Sequence, residues 1–442
     1  MFYINKDIEL DAALLNKMMN RFHLTVKPRL EKYKNYYDGK QNILNKTYAD
    51  ETKPCSRTVI NYTKSITDAY AGYLATPGFI GYKSGNDIET IMEILRYNDY
   101  NAADAALLLD ALIYGVGAEL MFIDADGQTR FRTINPQSCF AVCDDSLTGD
   151  LLYFVRFYPI NEWDDSDLYA VDVYSNTDVK HYRMSGYNGN LIFVDAEPHY
   201  FSDCPANILS LPDEKSIFDC VIGLCDAMNE VLSAEIDEFS QFADAYLVLT
   251  GVDAEKDDIK KLKEDRVILL PHEAASAAWL TKNTNDAQVE NILKRIHDSI
   301  YRIASCVDYS SENLMNGVSS GIAIRYKMSG MENRAGTIEA ELKKALQRRI
   351  EIIAGIASLK LGEEVFRDIE ITFKRNIPED ITSTINLINS LKGTVSDGTL
   401  LSQLDFIPDV NAELEAVAAQ KQANMELYSF APAAADDEED DA

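Results

Sequence analysis

The chain has 442 residues, 46% of them hydrophobic, enough for more than one domain and a sizeable core. Its 42 Lys and Arg stand against 72 Asp and Glu, a formal net charge of -30, which argues against a surface that grips nucleic acid but not against one that DNA slides past. Seven scattered cysteines without a CxxC pair and five scattered histidines argue against a disulfide scaffold or a zinc site and suit a reducing cytoplasm.

The N-terminus is polar and acidic at Asp7, Glu9 and Asp11, unlike a signal peptide. Residues 6–38 read as helical with a break at Pro28, and 61–76 as a second helix closed by Thr76-Pro77-Gly78. Two more helices are predicted at 87–97 and 100–114. The most apolar stretch, 102–123, is interrupted by Asp104, Asp110 and Glu119, so no transmembrane helix is expected. Strands at 118–124 and 128–134 flank Asp124-Ala125-Asp126-Gly127. That tetrapeptide starts like a calcium loop but lacks the later ligands, so it reads as a hairpin turn. Further strands are expected at 151–158, 168–174, 179–184 and 191–195, with a turn at Asn188-Gly189. A long helix over 214–245 follows, then a strand (246–250), a charged helix (253–264) and two short strands (266–270, 276–281). A second long helix spans 286–307, with Val289, Ile292, Leu293, Ile296, Ile300, Ile303 and Val307 on one apolar face. Residues 309–321 are polar and contain glycine. A third long helix over 322–360, a small helical region over 380–428 and six consecutive acids at Asp436–Asp441 complete the chain. The fold class expected is α+β, mostly helical.

Two helices carry informative charge. In 214–245, Asp219, Asp226, Glu230, Asp237 and Asp244 fall on one line, with Val221, Leu224, Met228, Val231, Leu232, Phe239 and Phe242 opposite. Such a stripe is either a solvated face or a surface with a purpose, because like charges at these spacings repel. Helix 322–360 instead carries eight bases, including Arg325, Arg334, Arg348 and Arg349, against four acids. These bases suit ordinary ion pairs, acids of a neighbouring subunit, or DNA. No phosphate-binding GxxxxGK[ST] loop, GxSxG, HExxH or kinase signature occurs, and no cofactor is implied.

Several segments in this order resemble the portal family of tailed phages, in the branch common among phages of Gram-positive hosts. Asn61 to Leu74 resembles the family's early helix, and Tyr114-Gly115 through Phe122 with Ile134-Asn135-Pro136 its next strand and turn. Residues 214–251 resemble the helix-to-clip transition, Gly317 to Lys327 the end of the tunnel loop, and Ser396-Asp397-Gly398 through Leu414 the C-terminal helices. The resemblance implies a non-enzymatic ring, usually of twelve subunits, at one capsid vertex of the virion, made in the host bacterial cytoplasm. Its implied partners are other copies of itself, double-stranded DNA passing without sequence specificity, the terminase large subunit, a head-tail adaptor, and major capsid and scaffolding proteins; no membrane is involved. It implies a wing (1–213 and part of 322–378), a stem (214–245 and 286–308), a clip (246–285), a tunnel loop (309–321) and a small crown (379–430), followed by a disordered acidic tail (431–442). Within that plan Asn313, Asn316, Gly317, Ser319, Ser320, Gly321 and Arg325 are expected to face DNA. Lys256, Lys260 and Lys263 are expected to meet clip partners, and the acidic stripe to hold phosphates off. Twelve helices, each about 10 Å across, enclose a bore of roughly 28 Å, wider than the roughly 20 Å of B-form DNA. Two alternatives remain: another head-tail ring component, and a nuclease built on carboxylate-bound metal.

Overall fold

A computed structural model describes residues 1–50, 53–76, 78, 80–161, 168–186, 189–242, 246–250, 276–280, 286–308, 321–357, 365–375, 381–401, 404 and 410–429. Two compact units emerge, one from Met1–Val318 with Ile322–Asn376 and one from Ser319–Gly321 with Ile377–Ala442. Helices and sheets are mixed, as the α+β expectation requires. No described helix is long and apolar enough to cross a membrane.

The first unit opens with strand β1 (Phe2–Ile4), helix α1 (Ala12–Arg21), a π turn (Phe22–Val26) and helix α2 (Lys27–Tyr37). The single helix expected over 6–38 therefore starts later. Asp11 caps α1 by accepting from the Leu14 N–H at 2.7 Å, which leaves the preceding residues free to form β1. The break expected at Pro28 takes the form of the π turn directly before it: the backbone stays helical from α1 into α2, and the helix changes type where Pro28, in the first turn of α2, offers no N–H. Helix α3 (Tyr62–Leu74), strand β2 (Ile80–Lys83), helices α4 (Glu89–Tyr97) and α5 (Tyr100–Tyr114) follow.

Strands β3 (Val116–Ile123) and β4 (Thr129–Ile134) form the expected hairpin. The Asp124 carboxylate accepts from the N–H groups of Asp126 (3.1 Å) and Gln128 (2.9 Å), which makes it a turn former. Next come β5 (Cys139–Asp144), β6 (Leu151–Pro159), β7 (Leu168–Tyr174), β8 (Asp178–Ser185), β9 (Ile192–Pro198) and β10 (Ala206–Ser210). One sheet has the order β1-β5-β6-β7-β8-β9, antiparallel apart from the β1–β5 pair; another has the order β10-β3-β4. The π turn packs Phe22 on the six-stranded sheet, 5.5 Å from both Phe140 and Phe157, within a core that includes Leu15, Met19, Leu30, Val142, Val155 and Val171. Each such side chain contributes roughly 1.5–3 kcal/mol on burial.

The helix expected over 214–245 is α6, Ile222–Phe242. Its start is delayed because Asp213 and Glu214 adopt left-handed backbone angles (φ 59° and 51°). A Cβ on Gly115 would lie 2.4 Å from the Glu214 carbonyl carbon, so only glycine lets α5 end against this turn. Strands β11 (Tyr246–Thr250) and β12 (Ser276–Leu280) pair antiparallel, with Tyr246 opposite Leu280. Helix α7 (Asp286–Ile303) stops short of 307, and Ser305 follows with φ 50°. Helix α8 (Gly321–Ala357), 37 residues long, spans roughly 55 Å. Strand β13 (Glu370–Phe373) pairs with β2. In the second unit, α9 (Ile381–Leu391) precedes α10 (Asp397–Leu401), which packs on α11 (Val410–Ser429).

Candidate functional site

The acidic face of α6 meets its own chain. Tyr33 of α2 donates its hydroxyl to Asp219 at 2.8 Å, and Tyr36 donates to both oxygens of Asp226 at 2.8 and 2.9 Å. Asn42 adds a second donor to Asp226 at 3.2 Å. Beyond it, an extended segment runs antiparallel to the helix. The N–H of Ser56 donates to Asp237, that of Thr58 to the Ser233 hydroxyl (3.0 Å), and that of Ile60 to Asn229 Oδ1 (2.8 Å). The match is metric: two extended residues advance roughly 6.6 Å, and four helical residues roughly 6 Å. Every second N–H therefore finds an acceptor on every fourth helix residue. Lys46 Nζ and the Tyr48 hydroxyl close on Asp237, each at 3.1 Å.

These contacts set the electrostatics. Burial alone would raise the Asp237 carboxyl, but the donors at Ser56, Lys46 and Tyr48 hold it below the ordinary carboxylate range. Burial, then the adjoining carboxylates, pushes the phenols of Tyr33 and Tyr36 well up. Glu230 stays exposed, and Asp244 lies outside the described residues. Most of the acidic row is thus a rail that seats the 33–60 segment. Phe239, on the other side of α6, is 77% exposed.

The roots of α6, α7 and α8 are tied by polar groups aimed at chain ends. Tyr62 Oη lies 2.9 Å from His297 Nδ1, and His297 Nε2 lies 3.1 Å from Asp308. Burial foremost lifts the Tyr62 phenol to about 12. Tyr70 donates to the carbonyls of Ala304 (3.1 Å) and Ser305 (2.8 Å) where α7 ends. Arg334 of α8 donates to Ala304 O and to Ile217 O, both at 2.7 Å, so one guanidinium clamps the end of α7 and the approach to α6. A cation is favoured there because helix C-termini present unpaired carbonyls.

Further along α8 lies a buried charge cluster. Arg349, fully buried, donates to Glu119 of β3 at 2.8 and 3.0 Å and also bonds Asp104 of α5. Asn207 donates to Glu119 at 3.3 Å, the Tyr82 hydroxyl lies 3.4 Å from Asp104, and the Phe131 ring sits 4.6 Å from the guanidinium. Two carboxylates share this arginine, and burial raises the Asp104 carboxyl despite it. Arg348 pairs with Asp203 at 2.6 Å and Lys344 with Glu341 at 2.8 Å. Several bases of this net-basic helix are therefore held by acids of the same chain.

Gly321 opens α8, and Arg325 lies four residues on in the same helix. Asn313, Asn316, Gly317, Ser319 and Ser320 lie outside the described residues, as do Lys256, Lys260 and Lys263. Sequence reasoning missed Tyr33, Tyr36, the alternating N–H groups of 56–60 and the Arg349 cluster. The spacing of Asp226, Asn229, Ser233 and Asp237, all short acceptors on one helical face, was the available signal.

A family model described as phage portal protein, SPP1 Gp6-like, matches residues 19–427. The portal protein of Bacillus phage SPP1 is 22% identical over 430 residues, covering 92% of this chain and 84% of that protein. The portal protein of Clostridium phage phiCD119 is 18% identical over 410 residues, covering 85% and 89% respectively.

Proposed function

Because the chain belongs to the SPP1 Gp6-like phage portal protein family, whose members are structural subunits of the channel for genome packaging, we propose a division of labour among its elements. Helices α6 and α7 form the stem of one subunit in a ring, expected to hold twelve copies. Residues 246–285 are the clip, which meets the terminase large subunit and the head-tail adaptor. Residues 309–321 are the tunnel loop, and 379–430 the crown. The six-stranded sheet with α1 to α5 belongs to the wing, which faces capsid and scaffolding proteins.

One observation carries the reading. Helices α6 and α7 pack side by side, and β11 and β12 pair with Tyr246 opposite Leu280, so the chain leaves the helix pair and returns to it across one two-stranded base. The helices are antiparallel: Arg334 joins Ala304, at the end of α7, to Ile217, just before α6, whereas β11 and β12 pair beyond the end of α6 and before the start of α7. The pair β11–β12 is therefore at the end of the two helices remote from Arg334. A clip built on that strand pair is the reading this supports, because a partner can approach that end without displacing the wing.

The test is a charge reversal at Lys260→Glu with Lys263→Glu, read by terminase binding and by DNA packaged per capsid. Intact rings with reduced terminase binding support the clip assignment. Unchanged binding and packaging contradict it. For the loop, a Gly-Ser linker of equal length over 311–319 is expected to leave capsid assembly normal and DNA retention impaired.

A further inference from the structure

Strand β9 lies at one edge of the six-stranded sheet, and among the described residues no strand pairs with its outer side. All seven of its residues are exposed, so neither face is covered and the strand is held by its pairing with β8. Exposed edges are normally blunted by charge, proline or a bulge, because unpaired backbone groups template further strands. Here the strand is divided. Asp195, Glu197 and Pro198 blunt one half; the register with β8 shifts between His181 and Tyr182, so Val194 is an extra residue where the halves meet, and Ile192, Phe193 and Val194, at 66%, 56% and 46% exposure, leave the other half apolar and open.

We propose that β9 is a docking edge for an extended segment of a different polypeptide, which adds as a further strand. The segment places apolar side chains against 192–194 and Lys or Arg against 195–197. Backbone hydrogen bonds supply affinity in this mode, and the alternating side chains supply selectivity. The charge preference follows from a row of residues directly opposite one another: Arg156 on β6, Asp172 on β7, His181 on β8 and Asp195 on β9. His181 Nδ1 is 2.7 Å from Asp172, and its Nε2 is 3.6 Å from Glu197. One imidazole thus serves the buried Asp172 and the edge acids together, and the outer end of the row is left negative. Arg183, opposite Ile192, marks the other end, so the edge has electrical polarity as well as an apolar patch. Pairing of β9 with β9 of a second copy fits less well, because like strands pairing edge to edge need a two-fold axis, which a simple cyclic ring lacks.

The experiment is fluorescence anisotropy of the full chain with a labelled peptide of alternating lysine and valine. Two controls are its glutamate-valine counterpart and the lysine-valine peptide N-methylated at alternate residues. Saturable binding of the first is expected, at least about tenfold weaker for both controls. The Ile192→Asp/Val194→Asp variant is expected to bind the lysine-valine peptide at least about tenfold more weakly with an unchanged Tm, although its added acids would strengthen a merely electrostatic association. Glu197→Lys provides an independent arm, expected to weaken the lysine peptide and strengthen the glutamate one. Equal binding of the N-methylated peptide, undiminished binding to the apolar-edge variant, or no saturation at millimolar peptide would overturn the proposal. So would β9-dependent self-association, which would assign the edge to a second copy.

Discussion

Helices α6 and α7 lie side by side, yet they use their faces in opposite ways. The acidic row of α6, the face that sequence would give to solvent or to a channel, is largely occupied by tyrosines, a lysine and backbone N–H groups of its own chain. The apolar row of α7, the face that sequence would give to a core, is partly open: Ile300 is buried, but Ile292 and Ile303 are 40% and 47% exposed. Charge is thus internal and apolar surface external at the same place. A subunit completed by its neighbours has this pattern, because the apolar stripe that appears unfinished in one copy is the part another copy covers.

The largest expected effect comes from removing a charge that the chain itself holds. Arg349→Met leaves Glu119 and Asp104 buried without their cation and is expected to cost about 3–5 kcal/mol in urea denaturation. Adding Asp104→Leu and Glu119→Leu should recover most of that loss, since a buried ion cluster is replaceable by apolar packing but not divisible. A single mutant no less stable than wild type would break the contrast. Next in size is the rail. Asp226→Ala strands the Tyr36 and Asn42 donors and is expected to cost about 1–3 kcal/mol. The cost should fall well short of additive with Tyr36→Phe in a double-mutant cycle.

Acid supplies a third probe. The Asp237 carboxyl is held below its ordinary value of 3.8 in the folded chain. Its stabilisation is therefore fully present above 3.8 and is lost as pH falls from there through the lowered folded value. Asp237→Asn should flatten the stability profile in that window and leave its slope near neutrality unchanged, as measured by chemical denaturation across pH 3 to 7. The smallest stability effect is expected on the open stripe. Ile292→Asp with Ile303→Asp should cost the isolated chain no more than about 1 kcal/mol per site, the larger share at Ile303, whose new carboxylate meets the C-terminal carbonyls of α7.

Much of this architecture was legible from local signals. Asp124-Ala125-Asp126-Gly127 announced its hairpin, β6 to β9 announced themselves by alternation, and α7 and α8 fell within a few residues of their expected ends. What was not legible has physical causes. Strand β5, buried along its whole length, shows no alternation and gave no period to detect. Strand β1 is three residues long and exists only through its pairing with β5. The start of α6 was misplaced because a left-handed turn at Asp213 and Glu214 depends on contact with Gly115, about a hundred residues earlier in the chain. The acid stripe was visible as a pattern, but its partners, at residues 33 to 60, are distant in sequence. No periodicity connects Tyr36 with Asp226.

The central claim, that the polar face of α6 serves its own chain and the open apolar face of α7 serves a neighbouring copy, is tested most directly by particle mass. Mass photometry should show the wild-type chain at micromolar concentration as a closed oligomer many times its 49.6 kDa. The Ile292→Asp/Ile303→Asp variant should run as single chains that keep the wild-type far-UV circular dichroism. A variant that still forms the full ring, or a wild-type chain that remains monomeric with and without scaffolding protein, would contradict the account.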